Sequence, residues 1–487
     1  MAAQRNTIMR IEPDHRNLAL LVAGCTFIEL LDGTIVTTSA PKIARALHVP
    51  VGSIGLLITA YLVTVAVLIP LSGWIAARLG GRATMLIAIT VFVAGSIGCA
   101  SSTTLTELVL MRVLQGTGGA MMVPVGRLLV VSRAEPSNLM RLTAFLVWPG
   151  LVAPVIAPLA GGVITTYANW HWLFLINLPL GALGLITAVR IVHPPPLPDP
   201  GRLGTLGVLL TGAGVGGITV TADLIAGQHG RWTLIAGMGA ASALLLAASA
   251  RHLLRTENPL VDLRLLRIHT VRSSLTGCGL YFTVMNAGPF LAPLMFEEVF
   301  HWSAIKAGSL VAFLFVGNIA IKPVTTSLYS RFGFKRVLVA ATSTMAVMMV
   351  CLGLTTASIP LPVLALILVV IGATRSIGAT GYTTLVYTDV PRSQMRHATT
   401  LQTTAQMLAA GSGVAASEIA LRIGHPLGRL FTAGAGQHPG YVVAFSIMAC
   451  ISLLATLEAG RMRSGAGDAL RVGRQPRDRT PLGDVSS

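Results

Sequence analysis

Few charged side chains lie at depth within the apolar stretches of this chain: Glu29, Asp32, Arg112, Arg127, Lys322, Arg375 and Glu418. Groups of these types, held away from water, handle protons and ions. A charge at mid-membrane costs roughly 2.5–3.5 kcal/mol on insertion scales, so it faces a cavity or a partner. Glu29 and Asp32 are three residues apart, which places them on one face of a helix. A poorly solvated carboxyl takes and releases protons nearer neutral pH. Arg112, close in one conformation and distant in another, would couple that exchange to a change of shape, so Glu29, Asp32 and Arg112 form a candidate proton-coupling set; the plainer alternative is a static structural pair. Lys322, Arg375 and Glu418 form a second set, suited either to an anionic substrate or to bracing between helices. Arg127, near the end of its run, reads as a snorkelling side chain whose head reaches the interface. Gln115, Trp148, Tyr281, Asn286 and Tyr382 are candidate cavity residues, with helix packing as the alternative for each.

The elements that carry these residues follow from composition. Apolar residues make up 53% of the 487 residues and charged residues 11%, against roughly 25% charged in a soluble domain. A bilayer is the solvent that fits such a chain. A span needs about 20 apolar residues, and fourteen such runs occur, near 18–40, 52–76, 83–101, 106–131, 142–166, 172–192, 203–223, 232–250, 271–295, 304–328, 337–357, 361–387, 398–421 and 439–460. The fold class expected is an all-α polytopic membrane protein. The net charge of +17 is dispersed as small groups of Arg between runs, not clustered on one segment as in a nucleic-acid binder. With the N-terminus placed in the cytoplasm, only Lys42, Arg45, Arg231, Lys306, Arg422 and Arg429 fall on the opposite side. The resulting bias of about four to one is a strong positive-inside signal, with both termini cytoplasmic.

Two turns reveal an internal repeat. Arg78-Leu79-Gly80-Gly81-Arg82 follows the second run, and Arg331-Phe332-Gly333-Phe334-Lys335 follows the tenth. Aligning them pairs runs one to six with runs nine to fourteen and leaves two runs inserted between. The organisation expected is a cytoplasmic segment 1–17, a six-helix half 18–192, a Pro-rich linker 193–202, an inserted helix pair 203–250, a cytoplasmic loop 251–270, a second half 271–460 and a basic tail 461–487. Consecutive prolines in 194–196 prevent a helix from crossing the linker.

Several stretches resemble the 14-spanning drug:proton antiporter family (the EmrB/QacA type) of the major facilitator superfamily. They are Leu31-Asp32-Gly33-Thr34 with Ala40-Pro41; the Gly73–Arg82 turn; Arg112-Val113-Leu114-Gln115-Gly116 with Pro124; Ala157-Pro158-Leu159-Ala160-Gly161-Gly162; and Trp170 to Pro179. The resemblance implies two six-helix halves plus two inserted helices, and alternating access between the halves. It implies proton coupling through Asp32 and Arg112, and gating or structural roles for Gly73, Arg78, Gly80, Arg82, Pro158, Gly161, Gly162, Arg331 and Gly333. Ala77 stands where the family's loop motif usually has Asp, and Ala153 and Ala157 replace glycines of the antiporter motif.

The reading is a proton-coupled exporter of amphipathic or cationic drug-like compounds in a bacterial inner membrane. It needs no cofactor beyond the proton gradient. The partners expected are a small-molecule substrate, protons and the lipid bilayer, with no nucleic acid. The sequence does not indicate a periplasmic adaptor, and a monomer is expected. Two alternatives stand: export of a specific anionic metabolite using Lys322 and Arg375, and a non-transporting membrane sensor. No Lys directly follows a Gly, so there is no P-loop; HExxH and GxSxG are absent, which argues against common membrane hydrolases. The five cysteines all lie in apolar runs without a CxxC pair and read as small buried hydrophobes.

Overall fold

The computed structural model describes residues 13–49, 51–134, 136–147, 152–153, 156–157, 160–161, 163–164, 167–192, 204–226, 232–256, 259, 261–431 and 439–462. Its long helices are α1 (Pro13–Ala46), α2 (Gly55–Leu79), α3 (Gly81–Ser101), α4 (Leu105–Arg133), α5 (Pro136–Val147), α6 (Asn177–Ile191), α7 (Thr205–Ala226), α8 (Trp232–Arg255), α9 (His269–Glu298), α10 (Ala304–Ala320), α11 (Lys322–Phe332), α12 (Phe334–Gly353), α13 (Leu361–Leu385), α14 (Met395–Phe431) and α15 (Pro439–Arg461). Among the described residues, eleven helical stretches are long and apolar enough to cross a membrane, and α10 with α11, bent by 50°, passes the same test as a pair.

Of the fourteen runs, the fifth lies partly outside the described residues. The thirteenth is α14, 37 residues long. At about 1.5 Å per residue it exceeds a hydrocarbon core of about 30 Å. Gln402, Thr403 and Ser417 make it more polar than the others, and all three are buried against protein instead of facing lipid.

Packing follows the repeat. In the first half α4 packs on α2 and α3, and α6 packs on α1 and α3. In the second, α13 packs on α10 and α12, and α15 packs on α9 and α12, which are the corresponding pairs. Small residues permit the closest crossings. A Cβ on Gly372 of α13 would fall on the Leu314 carbonyl of α10, and one on Gly118 of α4 would lie 2.6 Å from the Ala88 carbonyl of α3. The inserted helix α7 packs on both α2 and α14, so it spans the seam between halves, with α8 outside it.

The two Arg-x-Gly-x-basic turns have the same backbone. Gly80 has φ 85° and ψ 145°, and Gly333 has φ 80° and ψ 163°, a region that side chains with a Cβ avoid. Arg82 then donates from Nη2 to the Val189 carbonyl at 2.8 Å, tying the first turn to α6. Gly80→Ala and Gly333→Ala are each expected to cost about 1–3 kcal/mol. Thermal unfolding in detergent measures this against Gly308→Ala, where no atom stands within 4 Å of the added Cβ. Equal melting temperatures for all three would refute the assignment.

The tenth span breaks where Pro323 follows Lys322, since proline removes a helical N–H and crowds the preceding turn. Pro70, at the matching place of the first half, sits inside an unbroken α2.

Candidate functional site

Asp32, in the middle of α1, is 1% exposed, and Arg112 of α4 is fully buried. Arg112 Nη1 donates to Asp32 Oδ2 at 2.5 Å and to Gln115 Oε1 at 2.7 Å. Gln115 Nε2 donates to Asp32 Oδ1 at 3.0 Å and to Ser96 Oγ at 2.7 Å. Asn177, the first residue of α6, donates from Nδ2 to Asp32 Oδ1 at 2.7 Å and to Ser96 Oγ at 3.2 Å. Four helices of the first half, α1, α3, α4 and α6, thus meet in one network around the Asp32 carboxylate. The rings of Tyr61 and Phe174 flank the guanidinium, 5.0 and 5.3 Å from its Cζ, and supply cation–π attraction to the buried charge. The network is incomplete: Arg112 Nε and Nη2 and Asn177 Oδ1 are buried without partners among the described residues.

Glu29 does not join this cluster, contrary to the one-face pairing expected. It is half-buried, with Oε2 buried and unpartnered. Arg127 and Asp32 are the charged groups whose fields reach it. Gln115 corrects the cavity expectation in the other direction: it is a fully buried ligand of Asp32.

Where the halves meet, α14 packs on α2 and α4, and α13 and α11 pack on α5. The joining contacts gather toward the Arg-rich ends of the helices. Thr143 and Thr384 share a hydrogen bond at 2.7 Å across the halves. Gly73 lies so close to α14 that a Cβ there would come within 2.7 Å of Thr400 Oγ1. Arg127 Nη1 donates to Gln406 Oε1 at 2.5 Å, and Gln406 Nε2 donates to Thr383 Oγ1 at 3.0 Å. The snorkelling expectation for Arg127 therefore fails, because the opposing half covers the route to the interface. Arg127, Gln406, Thr383, Arg375, Thr26 and Phe282 line a central cavity of about 110 Å³.

The second-half residues separate. Arg375 lines the cavity and donates from Nη1 to the Met285 carbonyl at 2.6 Å. Lys322 is at the bend of the tenth span and donates to Thr380 Oγ1 at 2.9 Å. Glu418 is not held by either of them: it accepts from Arg422 Nε at 3.0 Å, one helical turn away, and Arg422 lies 4.4 Å over the Trp232 ring of α8. Tyr281 and Tyr382 do not line the cavity. Both are fully buried in the second half with ring centroids 5.7 Å apart, and Tyr281 Oη donates to the Thr374 carbonyl at 2.6 Å. Asn286 is half-buried and donates to the Phe282 carbonyl of its own helix at 2.7 Å.

Among the motif residues, Arg78 and Arg331 are exposed, Arg331 over the ring of Phe332, and Gly161 is buried. Trp148, Pro158 and Gly162 lie outside the described residues.

Sequence reasoning missed Ser96, Asn177 and Gln406 as functional candidates. Asn177 was within reach, since an amide inside an apolar run needs a partner. Ser96 carried no such signal, because a serine satisfies itself on its own helix, as its bond to the Phe92 carbonyl at 3.0 Å shows.

The sequence model described as the Major Facilitator Superfamily matches residues 22–414. A putative multidrug resistance protein MdtD of Klebsiella pneumoniae is 32% identical over 462 residues, 94% of this chain and 97% of that protein. A probable transport protein HsrA of Haemophilus influenzae is 31% identical over 410 residues, 84% of this chain and 88% of that protein. Among solved structures, the human organic anion transporter MFSD10 superposes with a TM-score of 0.65 at 14% identity, covering 92% of this chain and all of that one. The proton:xylose symporter XylE gives 0.62 at 16% identity, covering 91% of this chain and 94% of that one. At such identities these two structures speak to the fold alone. With the family model matched over most of its length and two relatives aligned nearly end to end, the chain belongs to the major facilitator superfamily and is a multi-pass membrane transporter.

Proposed function

We propose that the chain is a proton-coupled exporter of amphipathic drug-like molecules that works by alternating access, with Asp32 as the proton-carrying group. The multidrug-resistance names of its relatives support the substrate side of this reading. The buried cluster around Asp32 supports the coupling. As an anion, Asp32 accepts from Arg112, Gln115 and Asn177. A proton on Asp32 adds a donor to a site that holds an unpartnered acceptor, Asn177 Oδ1. Rotation of that amide lets it accept from the protonated carboxyl and frees Arg112 from its counter-charge. Arg112 then carries spare donors in a dry site, and a different helix arrangement that satisfies them is favoured. Proton binding thus has different free energies in the two arrangements, which is the requirement for a ligand to shift an equilibrium.

In this reading the Arg-rich face is cytoplasmic, and the structure is an outward-facing or occluded state, with the halves joined on that face. The test is reconstitution in liposomes with a pH-sensitive dye trapped inside. A transported compound added to one side is expected to move protons in the opposite direction. Transport of the same compound that leaves internal pH unchanged and ignores an imposed proton gradient would overturn the coupling.

A further inference from the structure

The central cavity carries a charge pattern at odds with a cationic substrate. Two guanidiniums line it, one from each half: Arg127 of α4 and Arg375 of α13. Neither lies within 4.0 Å of a carboxylate among the described residues. Each spends one N–H on a neutral acceptor, Gln406 Oε1 for Arg127 and the Met285 carbonyl for Arg375, and each keeps a buried Nε without a partner among the described residues. The carboxylates that a cation would seek are placed elsewhere. Asp32 is enclosed by Arg112, Gln115 and Asn177, and Glu418 is closed by Arg422. Among the described residues Glu29 is the remaining carboxyl near the cavity, within the field of Arg127 but not part of the lining, so two guanidiniums and no carboxylate line the space.

From this geometry we infer that the transported compound carries a carboxylate, sulfonate or comparable anionic group, clamped between Arg127 and Arg375, with an apolar body against Phe282. The arginine fork matches the planar or tetrahedral oxygens of such groups, and the bonds are charge-assisted on both sides. Because the two arginines belong to different halves, an anion between them replaces a repulsion across the moving interface by attraction. That ties substrate occupancy to the distance between halves. The inference rests on the transport reading above and assigns its substrate class.

Matched aromatic pairs of the same shape and opposite charge test it: 1-naphthaleneacetate against 1-naphthylmethylammonium, 4-biphenylcarboxylate against 4-biphenylmethylammonium, and indole-3-acetate against tryptamine. Binding to the purified full chain is followed by isothermal titration. In at least one pair the carboxylate is expected to bind ten times or more tighter than the ammonium, and Arg127→Gln and Arg375→Gln are each expected to remove that preference. Arg375→Lys, which keeps the charge but not the fork, is expected to retain part of it. Equal or tighter binding of every ammonium, or no carboxylate binding up to 1 mM, overturns the assignment. So does a preference untouched in folded Arg→Gln variants; if a variant does not fold, the wild-type comparison decides alone. Carboxylate binding without any proton-dependent flux would leave this assignment standing and refute the coupling reading.

Discussion

Asp32→Asn is expected to abolish gradient-driven transport while Arg112, still charged, remains buried with no counter-ion. Two effects separate here. Stranding one partner of a buried ion pair costs about 3–5 kcal/mol, so the variant should unfold at a clearly lower temperature. Coupling between two sites is worth about 1–3 kcal/mol, or about 5–150-fold, and loss of the whole coupling falls at the upper end, about a hundredfold in gradient-driven flux. The double variant Asp32→Asn with Arg112→Gln distinguishes them. Removing both charges relieves the stranded guanidinium, and replacing a buried pair outright is often neutral. Stability should therefore return toward wild type while gradient-driven flux stays lost. Substrate exchange without a gradient should survive, since the central cavity is formed by other residues. If the double variant regains gradient-driven transport, Asp32 and Arg112 are a brace between α1 and α4 and the coupling group lies elsewhere.

The legibility of this site in the sequence has a physical basis. Asp32 and Arg112 stood out because ionised groups are costly inside apolar runs, whatever surrounds them. Of their partners, Ser96 gave no signal, because a serine bonds its own helix as readily as a distant group, whereas Gln115 and Asn177 are amides in apolar runs, legible as needing a partner but not as to which one. The two halves were readable from the paired turns, where Gly80 and Gly333 hold backbone angles that other residues avoid. Arg127 was misread for an instructive reason. Snorkelling presumes an open route to the interface, and α14 closes that route in this conformation. Hydropathy has no access to such information, since every conformation of a carrier shares one sequence. The same limit explains Tyr281 and Tyr382: an aromatic in an apolar run fits a cavity wall and a helix seam equally well, and here glycines decide. Gly378 and Gly277 leave the space that the two rings fill.

Gly73→Trp is expected to hold the Arg-rich face open. Gly73 is buried at the seam where α2 meets α14, beside Thr400 Oγ1 and Arg396 Cγ. A single Cβ meets the ends of side chains that can turn aside, so Gly73→Ala should be mild. An indole has no such escape. Overpacking a fitted interface costs about 1–3 kcal/mol, here charged against the closed state alone, because the open state removes α14 from contact. At about 1.4 kcal/mol per tenfold, the closed-to-open ratio falls by about 5–150-fold, and alternating access slows as the closed state becomes scarce. The loop between α8 and α9 packs over the same seam, where Val261 and Leu263 meet Leu71, Trp74 and Leu401, and His397 Nδ1 accepts from the Asp262 amide. Its release should accompany opening. Spin labels on Arg78→Cys and Arg392→Cys, both exposed and on opposite sides of the seam, in a background free of native cysteines, report the separation. The distance distribution should shift to longer values in Gly73→Trp and stay near wild type in Gly73→Ala. Gly237→Trp on α8, where no neighbour stands within 4 Å of a Cβ, controls for the bulk of the indole. A Gly73→Trp protein with the wild-type distance and wild-type flux would mean that this seam does not open during transport, and the gate would have to be sought between other helices.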